Sequence, residues 1–264
     1  YLDASLCYDL TEQPFTSHVA GNWEGFVGLN IKRFYFPRHK VFDYQISEKH
    51  PEWRFFNATG AFNREYCYRE HERQILKDNA DAIGSLNPEP MLRSMVPLVY
   101  VNRFSTTNKT VYTIYNAGTS TVQKNLIAIV PRDNFHFVDL YRYSEVRTIF
   151  RDGHVIVALD LEPRAVSCIA YLPVCMELGL QYPNLKVRLR KDLVDASIKL
   201  VNQDGEILSE GQLQNGECLL PFSPDSGKTI CKLYQGTYLV DAMPCSTTIP
   251  SSSKSSAVNP TLPD

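Results

Sequence analysis

The sequence has no run of about 18 consecutive apolar residues, so no helix that spans a membrane is expected. It also lacks an excess of charge: 27 Lys and Arg against 29 Asp and Glu leave a formal net charge of −2. Without a basic surplus, no long-range field recruits nucleic acid or an anionic surface, and neither is expected as a partner. The seven cysteines (Cys7, Cys67, Cys168, Cys175, Cys218, Cys231 and Cys245) include no Cys-x-x-Cys pair. Zinc ribbons and thioredoxin-like sites need that close spacing and are excluded. Cys168, inside Ala165-Val-Ser-Cys-Ile-Ala-Tyr171, reads as a small buried hydrophobe. There is no glycine-rich phosphate loop and no Gly-x-Ser-x-Gly elbow. His71-Glu72 opens like a zincin helix, but Ile75 stands where the second histidine is required. The chain starts at Tyr1 without a basic-then-apolar leader, which fits a mature product, a trimmed chain or a fragment.

What is present is the composition of a folded protein. Of 264 residues 44% are hydrophobic, enough for one large core or for several small ones. The character of the sequence changes near residues 94, 178 and 245. Residues 1–60 are aromatic, polar and irregular, as long loops around a scaffold are. Residues 63–83 have the spacing of one long helix, with Asn63 as N-cap and Gly84 as C-cap. Asn87-Pro-Glu-Pro90 stops it.

From residue 95 the period is that of strands. Six β-rich runs, beginning at Val96, Val111, Asn125, His136, Val155 and Ala165, are divided by turn signals such as Asp152-Gly153 and predict an antiparallel sandwich over 95–178. A smaller β module is expected over 179–245. It opens with Leu185-Lys-Val-Arg-Leu-Arg190, where Leu185, Val187 and Leu189 face one way and Lys186, Arg188 and Arg190 the other. Asp204-Gly205 and Asn215-Gly216 are hairpin dipeptides. Residues 246–264, rich in Ser and Pro, are expected to be disordered.

Residues 1–60 supply acids (Asp3, Asp9, Glu12, Glu24, Asp43, Glu48 and Glu52) among Tyr1, Tyr8, Trp23, Phe26, Tyr44 and Trp53. Carbohydrate sites need this mixture, since aromatic faces stack on sugar C–H surfaces while a carboxyl pair supplies acid, base or nucleophile. Asp3 is the candidate catalytic residue: it follows a Tyr-Leu pair suited to closing a barrel strand, and barrel enzymes place catalytic groups at strand carboxyl ends. Tyr1, His18, Trp23 and Glu24 are candidate sugar contacts.

Several strings carry a resemblance: Phe34-Tyr-Phe-Pro37, Lys40-Val-Phe-Asp-Tyr-Gln45, Trp53-Arg-Phe-Phe-Asn-Ala-Thr-Gly-Ala-Phe-Asn63, Ser85-Leu-Asn-Pro-Glu-Pro90 and Val111-Tyr-Thr-Ile-Tyr-Asn116. Over residues 1–173 the chain resembles the C-terminal part of TIM-barrel glycoside-hydrolase-like proteins, distantly similar to α-galactosidase-type barrels. The resemblance implies a mixed, mostly β chain. Residues 1–94 would be the incomplete end of a (β/α) barrel, 95–178 a sandwich, and 179–245 an immunoglobulin- or transthyretin-like module. The strand carrying Thr113-Ile-Tyr-Asn116 would pack on the barrel. A complete barrel takes about 250 residues, so at most two or three βα units fit before residue 94. The implied partners are therefore a carbohydrate substrate and an N-terminal barrel portion of the same protein. Two-carboxyl glycoside hydrolysis requires no metal or organic cofactor. The alternative is a non-catalytic carbohydrate- or protein-binding β-sandwich, with residues 1–60 as its loops. Sequential parallel strand–helix units in residues 1–94 distinguish the first reading from the second.

Overall fold

The structure is a computed structural model that describes residues 4–7, 29, 31–35, 37, 40–43, 51–61, 69–191 and 193–245. Three short strands, β1 (Ala4–Cys7), β2 (Lys40–Asp43) and β3 (Gly60–Ala61), form a parallel sheet in sequence order. Helix α1 (Ile31–Tyr35) lies between β1 and β2, and α2 (Pro51–Asn57) between β2 and β3. Parallel neighbours need such crossovers, because a tight turn cannot return the chain to the same end. The sheet is open, and no closed barrel exists among the described residues.

The expected long helix is two shorter ones, α3 (Glu70–Asp78) and α4 (Ala80–Ile83). Arg69 is extended, with φ −55° and ψ 148°, so the helix starts at Glu70 and not at Asn63, which lies outside the described residues. Glu72 accepts the Arg69 N–H at 3.2 Å and satisfies one donor at this new start. Asn79 breaks the run, its amide bonding back to the Ile75 carbonyl at 2.8 Å. Gly84 is the terminator expected: a Cβ there would sit 2.9 Å from the Ala80 carbonyl oxygen.

The rest is antiparallel. A six-stranded sheet has the order β4 (Glu89–Leu92), β5 (Val99–Ser105), β6 (Thr110–Asn116), β12 (Val166–Pro173), β8 (Phe135–Asp139), β9 (Ser144–Glu145). It faces a three-stranded sheet, β10 (Arg147–Arg151), β11 (His154–Leu161) and β7 (Val122–Ile129). Asp152-Gly153 forms the two-residue turn between β10 and β11, both residues at positive φ as a primed turn requires. Strand β4 lies before residue 94 in the chain and is an edge strand of the six-stranded sheet. Proline at positions 88 and 90 concealed it in the sequence.

The larger sheet is buried on both faces. Val101, Ile114, Ile169 and Leu126 pack between the two sheets. Phe104, Tyr115, Cys168 and Leu172 pack on the other side against Phe34, Trp53, Phe55, Phe56 and Ile75 of the helices. Central β6 and β12 are accordingly continuous apolar-rich runs with little alternation. The strand with Thr113 and Tyr115 does pack on the helical segment: Thr113 Oγ1 donates to the Phe56 carbonyl at 2.5 Å, as does the Asn102 amide at 2.9 Å. Tyr115 and Phe56 rings lie 5.9 Å apart.

The last module contains β13 (Met176–Gln181), β14 (Asn184–Leu189) and β17 (Glu217–Pro221) in one sheet. The other has the order β16 (Ile207–Gln212), β15 (Ala196–Asn202), β18 (Thr229–Gln235), β19 (Tyr238–Cys245). Strand β13 spans the change in sequence character near residue 178. Lys186 and Arg188 both pair with Glu217, and Arg190 pairs with Glu177, so each member of the basic stripe has an acidic partner on a neighbouring strand. Cys175, Cys218 and Cys231 belong to this module's core. Cys168 is buried in the sandwich, and burial raises the thiol pKa of all four. No described helix is long and apolar enough to cross a membrane. Residues 246–264 lie outside the described residues.

Candidate active site

The parallel strands end together. Cys7 pairs with Asp43, and Asp43 with Ala61, so these three share the last register position of the sheet. In a strand–helix unit the helix starts near the end where its strand finishes. The N-termini of α2 and α3 are therefore expected at the Asp43 end.

A cleft of about 530 Å³ opens beside those helix starts. Glu52 and Arg54 line it from α2, Arg69 and Glu72 from the start of α3, Tyr141 and Arg142 from the turn after β8, and Glu162 and Arg164 from the turn after β11. Tyr141 donates its hydroxyl to Glu72 at 2.8 Å. Burial, reinforced by that carboxylate, raises the Tyr141 phenol pKa far above its usual value. The Tyr141 ring is held edge-on by His71 at 4.8 Å and Phe55 at 5.5 Å. Asp139, 1% exposed, organises the turn beneath: it accepts the N–H groups of Tyr141 and Arg142, each at 2.9 Å, and the Arg142 guanidinium at 3.1 Å. Burial raises its carboxyl pKa against the opposing pull of Arg142. The cleft thus offers fixed acceptors and fixed guanidinium donors, a combination suited to a polyhydroxylated ligand.

Of the residues predicted from sequence, Tyr1, Asp3, His18, Trp23 and Glu24 lie outside the described residues. The described strand beside them is Ala4–Cys7. Glu52 lines the cleft; Glu72, Tyr141, Arg142 and Glu162 were not foreseen. They arrive from a helix start and two β turns, and no spacing rule links such positions. Ile75, whose identity excluded the zincin motif, is 1% exposed in the core, while Glu72 turns to Tyr141.

Two other hollows are lined by β elements. One, of about 780 Å³, lies between the sandwich and the last module, with Lys109, Arg132, Arg190 and Lys191 in its walls. The other, of about 520 Å³, contains Phe135, His136 and Tyr171. Phe137 and Tyr171 stack at 4.2 Å but are buried, which leaves no broad aromatic platform there for a sugar. His136 bonds instead to Asp241 at 2.7 Å, and that carboxylate also accepts the N–H groups of Cys175 and Met176. No cluster of three or more His, Cys, Asp or Glu able to hold a metal ion occurs among the described residues. No protein-family model matches this chain, and no curated protein matches it.

Proposed function

We propose that this chain is the C-terminal portion of a glycoside hydrolase. On this reading it closes a (β/α) barrel, contributes part of the sugar pocket and carries two accessory β modules, the last of them immunoglobulin-like. The observation that supports it is the sequential parallel order β1-β2-β3 with a helix in each crossover, followed directly by a sandwich packed on those helices. A binding sandwich with appended loops has no need of parallel strand–helix units. Three parallel strands are fewer than a barrel of eight requires, and the other units would come from the preceding part of the same protein. The reaction is addition of water across a glycosidic bond: the anomeric C–O bond breaks, hydroxide is delivered to the anomeric carbon and a proton to the leaving oxygen. Two carboxyls supply that proton traffic.

The test compares this chain with the protein that its gene encodes when read upstream of Tyr1, using a panel of 4-nitrophenyl glycosides. The longer protein is expected to release nitrophenol from at least one of them, and the isolated chain from none. Upstream sequence without strand–helix repeats, or a longer protein inert on every glycoside, would overturn the reading.

A further inference from the structure

We infer that the cleft takes an acidic sugar, a uronic acid unit whose carboxylate is held by Arg142 and Arg164, an inference that rests on the sugar-pocket part of the reading above. Arg142 carries it furthest. Its Nη1 donates to the buried Asp139 carboxylate at 3.1 Å and to Ser167 Oγ at 3.0 Å, which uses both hydrogens of that nitrogen. Nε and Nη2 have no hydrogen-bond partner among the described residues, and 28% of the side chain is exposed where it lines the cleft. Those two nitrogens are the edge of a guanidinium that meets a carboxylate through two parallel N–H···O bonds. Asp139, 1% exposed, also accepts the backbone N–H groups of Tyr141 and Arg142, so the fork is clamped from behind before any ligand arrives.

Arg164 is the second cation. It sits at φ 59° in a turn closed by the Ala165 N–H on the Glu162 carbonyl at 3.2 Å, and this exposed side chain has no acidic partner among the described residues. Arg54 and Arg69 bring the guanidiniums of the cleft to four, against the three carboxylates of Glu52, Glu72 and Glu162. Those acids do not neutralise the pair. Glu72 accepts the Tyr141 hydroxyl at 2.8 Å and the Arg69 N–H at 3.2 Å, Glu162 accepts the Thr121 hydroxyl at 3.1 Å, and no ion pair joins Arg142 or Arg164 to any of the three. Glu72 and Glu162 keep further lone pairs for sugar hydroxyls, while the two guanidiniums are left for a negative group. At about 530 Å³ the cleft falls within the range of small-ligand pockets, about 300–1,000 Å³.

The experiment uses the longer protein and matched 4-nitrophenyl 1-thioglycosides of the gluco and galacto series, which resist cleavage and bear a carboxylate, a hydroxymethyl or a sulfated hydroxymethyl group at C6. Isothermal titration is expected to give at least one uronate a Kd about tenfold or more below that of its hydroxymethyl counterpart, and below that of its sulfate. Arg142→Lys keeps a cation for Asp139 but loses the fork, and Arg164→Asn suits the left-handed backbone. Each should erase most of the preference, with binding of the hydroxymethyl sugar and the unfolding midpoint unchanged. Uronates bound no better than their neutral counterparts, a sulfate bound best, or a preference that survives both substitutions overturns the inference; cleavage of a neutral 4-nitrophenyl glycoside by the same protein would leave the hydrolase reading standing. Selective uronate binding by a protein that cleaves no glycoside supports the inference and overturns the hydrolase reading.

Discussion

Lys232 on β18 and Asp78 on α3, separated by 154 residues in the chain, meet at 3.0 Å with only 1% and 3% of their side chains exposed. Asp78 also accepts the Tyr234 hydroxyl at 3.0 Å and the Gln74 amide at 2.5 Å. Nearby, Lys109, the residue before β6, pairs with Asp81 of α4 at 2.7 Å and donates to the Leu239 carbonyl of β19. Burial lowers the Lys109 pKa, against the pull of Asp81. The helical segment, the sandwich and the last module are joined through this polar cluster.

Breaking one half of such a pair leaves a buried charge without its counter-charge, which costs about 3–5 kcal/mol. Asp78→Asn or Lys232→Met should therefore each lower the stability measured by urea unfolding by that order. The double variant Asp78→Leu with Lys232→Met should recover most of the loss. Two losses that simply add would show that the groups do not act as a pair.

Asp241 is a second joint of this kind. It is fully buried, and it receives His136 from the sandwich and the two N–H groups of Cys175 and Met176 at the start of the last module. Asp241→Asn turns an acceptor of backbone N–H into an amide with fewer acceptor sites. A loss of about 1–3 kcal/mol is expected for each group left unsatisfied. Amide hydrogen exchange should accelerate at Cys175 and Met176 in this variant, and unchanged protection there would refute the assignment.

Acid sensitivity is expected from His71, which packs on Tyr141 beside the cleft. Desolvation holds its imidazole below the usual 6.5, outweighing the opposite pull of Glu72 and Asp204. On acidification the unfolded chain takes up the proton first. Stability is thus fully present above about 6.5 and falls as the pH drops from there to the folded-state pKa. His71→Gln should flatten the fall in unfolding free energy between about pH 7 and 5. A slope unchanged by the substitution would show that other groups control it.

Gly211 on β16 has no room for a side chain: a Cβ would collide with Cys218 Sγ and lie 3.0 Å from Leu220 Cδ2. Gly211→Ala should destabilise by about 1–3 kcal/mol, as overpacking does. Adding Cys218→Ala should restore part of that in thermal unfolding. No recovery would place the strain in the backbone of β16.

The β architecture was legible where local chemistry decides it. The turn at Asp152-Gly153 and the alternation through Leu185 and Val187 needed only backbone preference and one buried face. Helix bounds were less legible, since hydrophobic spacing runs smoothly through Arg69 and Asn79 while the backbone does not. The cleft was hidden because Glu72, Tyr141 and Glu162 meet only after the sandwich packs on the helices, and sequence separation gives no sign of that.

The arrangement of β1, β2 and β3 in a crystal structure of the longer protein tests this account most directly. The account predicts them as consecutive parallel strands of one closed barrel, with two carboxyls about 5–10 Å apart across an open pocket at the strand ends. Strands β1 and β2 in antiparallel or unpaired positions, or no carboxyl pair at that distance, would contradict it.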